Sequence, residues 1–424
     1  MDAAFPDEKT FGRNDLRVEI DGREATVANL PEPFQQEQPD ALRIALDPPW
    51  KQKQNHEVMI ECNFRPPEDS GARITLDESG FHLGSQGWFP RLLPPKHVLS
   101  PYPKRPKVTA VSIRVPADYL VLARGAASGQ KKLGNEIEYR FTLRPDDLAP
   151  YVTAGRYTSS PSHPARRTAV FWTIQPLGQD AGPAAEQLAA AWKTLESDFG
   201  PLDKHIEGPH IVESPSLRSG FPGEESPAAV AFPGGALVNP AALSLGVASD
   251  QFLGMVTRAL ARNWFGDQIY PTPDAAVGMG EGLPEYATIV IEEARSGPAA
   301  RRRRILEYLR RYDDGVSRVT EQPLGQTKLT DAAAQRRIAV AKAALFFVAL
   351  EDACGEDATR KGLAQMVATL RGQEADYNDL RSALEQSSGK GLGEMFRIWL
   401  NEKGIPINFR QQYPSPPGNL QTGE

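Results

Sequence analysis

The stretch from Ser249 to Tyr286, SDQFLGMVTRALARNWFGDQIYPTPDAAVGMGEGLPEY, constrains this chain more than any other. Its first half has the pattern of an amphipathic helix. Phe252, Met255, Val256, Ala259, Leu260 and Trp264 recur at three- and four-residue intervals behind a Ser249/Asp250 start signal, and Gly266 predicts the end. Tyr270 to Gly280, with Pro271 and Pro273, reads as a turn-rich connection, and a second helix is expected from near Glu281. Arg258 and Arg262 then lie one turn apart on one face of the first helix. Two like charges so placed repel unless carboxylates intervene, and Glu281, one turn before Glu285, is the expected counter-ion.

Before this stretch the signals are β-like. Between Leu42 and Pro176 the runs ALRIALD, EVMIECNF, ARITLD, KVTAVSIRV, DYLVLARG, EIEYRFTL and TAVFWTIQP are rich in β-branched and aromatic residues and are separated by Pro, Gly and charge clusters. They predict an all-β domain of seven strands or more. A helix follows over Pro183 to Asp198, then strand-like pieces at His210 to Glu213, Ala228 to Phe232 and Ala236 to Asn239. Beyond Glu293 helices are expected at Ala300 to Tyr312, Asp331 to Ala353, Glu356 to Leu370, Tyr377 to Gln386 and Gly391 to Glu402. The end, YPSPPGNLQTGE, reads as a tail. The domain reading is therefore 1–160, 161–410 and a flexible tail at 411–424.

A chain of 424 residues with net charge −6 is long enough for two or three cored domains and gives no global reason to expect nucleic acid or an anionic membrane as partner. The longest apolar run, Ala343 to Leu350, is too short to span a bilayer. Cys62 and Cys354 fall in different expected domains and read as small buried residues. The amino terminus MDAAFPDEKTFGRNDL has no apolar signal-peptide core, which leaves a cytoplasmic protein and a mature exported chain both open.

The segments Arg258 to Asp267, RALARNWFGD, and Gly280 to Tyr286, GEGLPEY, resemble the M1 aminopeptidase signature H-E-x-x-H-Q-W-F-G-[ND] followed by N-E-G-F-A-E-Y. The 18 residues between Arg262 and Glu281 also agree with it. Gly87-Trp88-Phe89-Pro90 is similar to a segment of the family's β domain, and Met395-Phe396-Arg397-Ile398-Trp399-Leu400 with Gly404-Ile405-Pro406 to the close of its catalytic domain. The resemblance runs from about Leu42 to Pro406. It implies an α+β multidomain fold: an N-terminal β-sandwich or saddle domain, then a thermolysin-like, mostly helical catalytic-type domain. It also implies zinc as cofactor. Arg258 and Arg262 stand where the two zinc histidines would be, Ala259 at the general-base Glu, and Glu281 at the third ligand. Val340, in Val340-Ala341-Lys342-Ala343, stands where the family has an oxyanion-stabilising Tyr. Glu225, in Pro222-Gly223-Glu224-Glu225-Ser226-Pro227, matches the amine-binding Glu.

A guanidinium has no lone pair to give a metal. The expectation is therefore a degenerate member with no catalytic residues and no zinc, a pseudoenzyme whose cleft binds a peptide or protein partner through Glu225, Arg258, Arg262 and Glu281. A purely structural Arg–Glu network in place of the cation is the blander account. The alternative from another class is an active zinc-dependent aminopeptidase with unusual ligands. The six histidines, His56, His82, His97, His163, His205 and His210, show no ligand spacing. Arg301 to Arg304 with Arg310-Arg311 form a basic helix, read as a solvated face rather than a docking surface.

Overall fold

The computed structural model describes residues 2–4, 16–29, 41–51, 54–61, 74–83, 91–92, 110–143, 151–160, 168–202, 209–214, 229–232, 234–266 and 268–414. The chain divides into two compact units, Met1–Arg156 with Ser214–Arg218, and Tyr157–Glu213 with Ser219–Glu424.

The described part of the first unit is built of antiparallel strands. Ala110–Pro116, Glu136–Thr142 and Ala126–Leu133 form one sheet. Leu120–Ala123, Val152–Gly155, Gly80–Leu83 and Ile74–Asp77 form another. Alternation decides which faces are buried: Ile113, Val115, Val121, Phe141, Val152 and Ala154 make a common core, and Val18, Leu42 and Ile44 make a smaller one. Each of the seven β-like runs contains a strand, but Val170–Thr173 belongs to the second unit. The pattern missed Ala126–Leu133, AASGQKKL. Its side chains are nearly all exposed, so no apolar alternation marks it, and a two-residue connection at Gly134 (φ 65°) and Asn135 ties it to Glu136–Thr142. Cys62 and Gly87-Trp88-Phe89-Pro90 lie outside the described residues.

In the second unit a five-stranded mixed sheet comes first: β1 (Thr158–Ser160), β2 (Val170–Thr173), β3 (His210–Glu213), β4 (Ala229–Phe232) and β5 (Gly235–Val238), in the spatial order β1-β2-β3-β5-β4. The pairs β2/β3 and β3/β5 are parallel and the two outer pairs antiparallel. Ile211, Val212, Ala236, Leu237 and Val238 are all fully buried, so the central strands read as unbroken apolar runs rather than alternating ones. The helices are α1 (Gly182–Phe199), α2 (Pro240–Ser244), α3 (Asp250–Ala261), α4 (Gly282–Ser296), α5 (Pro298–Val316), α6 (Ala333–Cys354), α7 (Glu356–Thr369), α8 (Tyr377–Ser388), α9 (Gly393–Asn401) and α10 (Ile407–Gln412). The largest cluster of buried apolar side chains runs through α1, α3, α4 and α6. The helix α10 carries the packed chain into the segment expected as tail. There the Tyr413 hydroxyl donates to Asp352 Oδ2 at 2.9 Å. Among the described residues no helix is long and apolar enough to cross a membrane.

Candidate functional site

The helix α3 starts as its sequence predicts. Ser249 caps it, its hydroxyl accepting from the Phe252 amide at 3.2 Å, with Asp250 in the first turn. Phe252, Val256, Ala259 and Leu260 are buried against the core. It stops at Ala261, short of the expected Trp264, for a local reason. The amides of Arg262, Asn263 and Trp264 bond three residues back rather than four, to Ala259, Leu260 and Ala261. Fully buried Asn263 fixes that turn: its amide group donates to the Leu260 and Gly235 carbonyls and accepts from the Gly234 amide at 2.9 Å. Arg262 is therefore the C-cap residue of α3, not an interior one.

The aromatic pair behind it anchors the turn. Trp264 packs on Trp192 with ring centroids 5.2 Å apart and donates its Nε1 hydrogen to the Gly200 carbonyl at 2.8 Å. Phe265 meets Phe199 edge-on at 4.9 Å. Asp267 lies outside the described residues.

The second element begins differently from expectation. Ala276–Glu281 forms a π-helical turn, and the regular helix α4 starts one residue later. Gly282 is required there because a Cβ would collide with Ala343 Cβ of α6, and Gly278 because a Cβ would collide with the Tyr377 hydroxyl. The π turn leaves Glu281 at the head of α4, beside Arg262. Tyr286 is buried in α4, its hydroxyl donating to Glu351 Oε2 at 3.0 Å.

Two ion pairs bridge these elements. Arg262 Nη2 donates to Glu281 Oε2, each side chain being 18 % exposed. Arg258 Nε stands 3.2 Å from Glu285 Oε1, whose second oxygen accepts the Tyr308 hydroxyl hydrogen at 2.5 Å. Burial pushes the Glu281 carboxyl above its ordinary range, and the Arg262 guanidinium opposes that shift. Burial first, then the Glu285 charge, pushes the Tyr308 phenol far above its usual value, so the phenol is a fixed donor. Glu281, the expected counter-ion, pairs with Arg262, while Arg258 is taken by Glu285, which the sequence did not single out for that role.

These groups border a cavity of about 490 Å³. Arg258, Glu281, Glu285 and Tyr308 form one wall, and Val340 of α6 lines another. Arg262 reaches the cavity through Glu281. Ala259 points into the hydrophobic core, and Glu225 lies outside the described residues. Sequence reasoning read Arg311 as part of a solvated face and missed the remaining polar lining, Asp314, Arg318, Arg336 and Arg337. A signal was present: Arg311, Asp314 and Arg318 recur at three- and four-residue steps, and Arg336 and Arg337 precede Val340 by four and three.

The basic helix α5 is not a uniformly solvated face. Arg301 is 13 % exposed and pairs with Glu293 at 3.0 Å and Glu351 at 2.7 Å, while Arg304 bonds Glu307 at 2.7 Å. None of the histidines described, His56, His82 and His210, lines this cavity, and among the described residues no group of three or more His, Cys, Asp or Glu is placed to hold a metal ion. The donors around Glu281 do not fit zinc. Arg258 and Arg262, which the resemblance sets at the two histidine positions, carry guanidinium groups, and these have no lone pair to give a metal.

No protein-family model and no curated protein sequence matches the chain. Solved structures do. An M1 zinc metallopeptidase from Deinococcus radiodurans superposes with a TM-score of 0.66 at 15% identity, covering 96% of this chain and 87% of its own. Legionella pneumophila aminopeptidase A, in complex with aspartic acid, gives 0.67 at 16%, covering 96% and 45%. Native yeast LTA4 hydrolase gives 0.67 at 15%, covering 98% and 63%. At such identities the likeness is one of fold: this chain has the mixed α+β fold of the M1 metallopeptidases.

Proposed function

We propose that the chain is a catalytically inactive M1-fold homologue whose retained cleft binds a peptide or a peptide segment of a protein partner. The observation that carries this reading is the Arg262–Glu281 pair. The one carboxylate that the resemblance assigns to a metal already has a permanent cation as its partner, delivered by the residue at a histidine position. Three further positions support it. Arg258 is held by Glu285, Ala259 offers no base, and Val340 offers no hydroxyl to an oxyanion. Both carboxylates of this wall are taken up by guanidinium groups and the general-base position is an alanine, which argues against activation of a water for attack on an amide.

The pairs do retain the geometry of a cleft. They link α3 to the head of α4, as a cation between them would, and keep the cavity lined by polar groups over an apolar floor that includes Val277 and Val340. A buried, paired charge costs desolvation and does not by itself raise stability, so a persistent cavity beside it favours a binding role over a filler role.

The test is to titrate the protein with a fluorescein-labelled tetrapeptide pool and, in parallel, to incubate it with aminoacyl-coumarin substrates in added zinc. Saturable binding with no coumarin release is the expected outcome. Chelator-sensitive release would overturn inactivity, and absence of saturable binding would overturn the binding role.

A further inference from the structure

The charge lining the cavity is unbalanced. Five guanidinium groups, of Arg258, Arg311, Arg318, Arg336 and Arg337, face three carboxylates, of Glu281, Glu285 and Asp314. Most of the first group are already committed. Arg258 lies against Glu285, Arg311 bonds Glu307 at 2.8 Å, and Arg336 donates to the Leu329 carbonyl at 3.2 Å. Arg318 and Arg337 are not. Among the described residues neither guanidinium is in an ion pair or a side-chain hydrogen bond. Asp314, on the same wall, offsets only one of them.

A second feature adds positive potential at the same end. Ala333 and Ala334, which line the cavity, open the 22-residue helix α6, and its N-cap residue Ala332 supplies no capping side chain. The first-turn amides of α6 therefore lack a side-chain acceptor, and two methyl side chains leave them accessible to one from outside. The other end of the cavity is different. There Glu281 and Glu285 supply the carboxylates, and Val277 and Val340 supply apolar surface.

From this polarity we infer that the occupant of the cavity is an acidic peptide, with an Asp or Glu side chain directed to Arg318, Arg337 and the head of α6. The inference rests on the proposed binding role and names the ligand class for it. Guanidinium forks match carboxylate oxygens in bidentate fashion, and a helix N-terminus receives the same group. A compact inorganic anion would satisfy the arginines but leave the apolar wall unfilled. A peptide covers both.

The experiment compares two labelled tetrapeptides that differ by one Asp→Asn change, each titrated against the full chain and against the double variant Arg318→Gln/Arg337→Gln at low and at physiological salt. The acidic peptide is expected to bind about tenfold more tightly than its amide isostere at low salt, with the gap narrowing as salt rises. In the double variant the gap should close while the thermal midpoint stays that of the wild type, because both arginines are exposed. Equal affinity for the two peptides, or a preference that survives in the double variant, overturns this inference and leaves the binding role standing. Binding of neither peptide removes both. Displacement of the acidic peptide by equimolar inorganic phosphate would mark a small-anion site and also overturn it.

Discussion

Two ion pairs in the same unit are treated by the fold in opposite ways. Lys342 and Glu321 are sealed, with side chains 1 % and 7 % exposed, whereas Arg262 and Glu281 are each 18 % exposed and Glu281 borders a cavity. Both oxygens of Glu321 are bonded. One oxygen accepts from Lys342 Nζ at 2.8 Å, the other from the Tyr312 hydroxyl and the Gly404 amide at 2.6 Å, and Lys342 donates also to the Glu402 carbonyl at 2.6 Å. Burial pulls the Lys342 ammonium below its usual value while Glu321 holds it up. That network ties α6 to the loop after α5 and to the chain beyond α9, and it has no access to a ligand. The difference separates two situations in one core: a charge that is bonded and closed off serves packing, and a charge that is paired but left facing a cavity stays open to a ligand.

The comparison breaks first at the sealed pair. Glu321→Ala leaves a buried ammonium without a counter-ion and should cost about 4 kcal/mol in urea unfolding, the largest effect here; a loss near zero would remove the contrast. At the cavity, Arg262→Met or Glu281→Leu alone should cost about 2 to 3 kcal/mol by stranding the partner, while the double variant returns to within about 1 kcal/mol of the wild type. If the double variant is as unstable as the sum of the singles, the pair is not an isolated unit.

A smaller effect is expected at Asp198, away from both pairs, where α1 meets α7. Burial raises its pKa from 3.8 to about 6 against the opposing charge of Arg360, 3.2 Å away. A raised folded-state value means that the protonated form is favoured on folding. The group's contribution is therefore fully present below pH 3.8 and is lost as the pH rises through about 6. Asp198→Asn should match the wild type near the acid end of that window and exceed it by on the order of 1 to 2 kcal/mol above it; a difference that does not grow between those limits would contradict the assignment.

Much of this was legible in residues. The Ser249 cap, the apolar spacing of α3 and the glutamates at the head of α4 are local signals; Arg258, Glu281 and Val340 line one cavity, and Arg262 stands behind Glu281. What escaped was set by contacts distant in sequence. Asn263 ends α3 early by bonding to Gly234 and Gly235, and Ala343 approaches Gly282, just after the π turn, too closely for a Cβ there. The partition of the arginines escaped as well. Arg301 and Arg304 find carboxylates from neighbouring helices and leave solvent, whereas Arg318 and Arg337 look no different in sequence and remain uncommitted. Strand Ala126–Leu133 was silent because its faces are both polar.

The most direct test is the zinc content of the purified full chain, measured by elemental analysis after exposure to zinc and gel filtration, beside the variant Arg258→His/Ala259→Glu/Arg262→His. The account predicts well under about a tenth of a zinc per wild-type chain, since guanidinium gives no ligand, and approximately stoichiometric zinc in the variant, where two imidazoles join Glu281. Stoichiometric zinc in the wild type would contradict it.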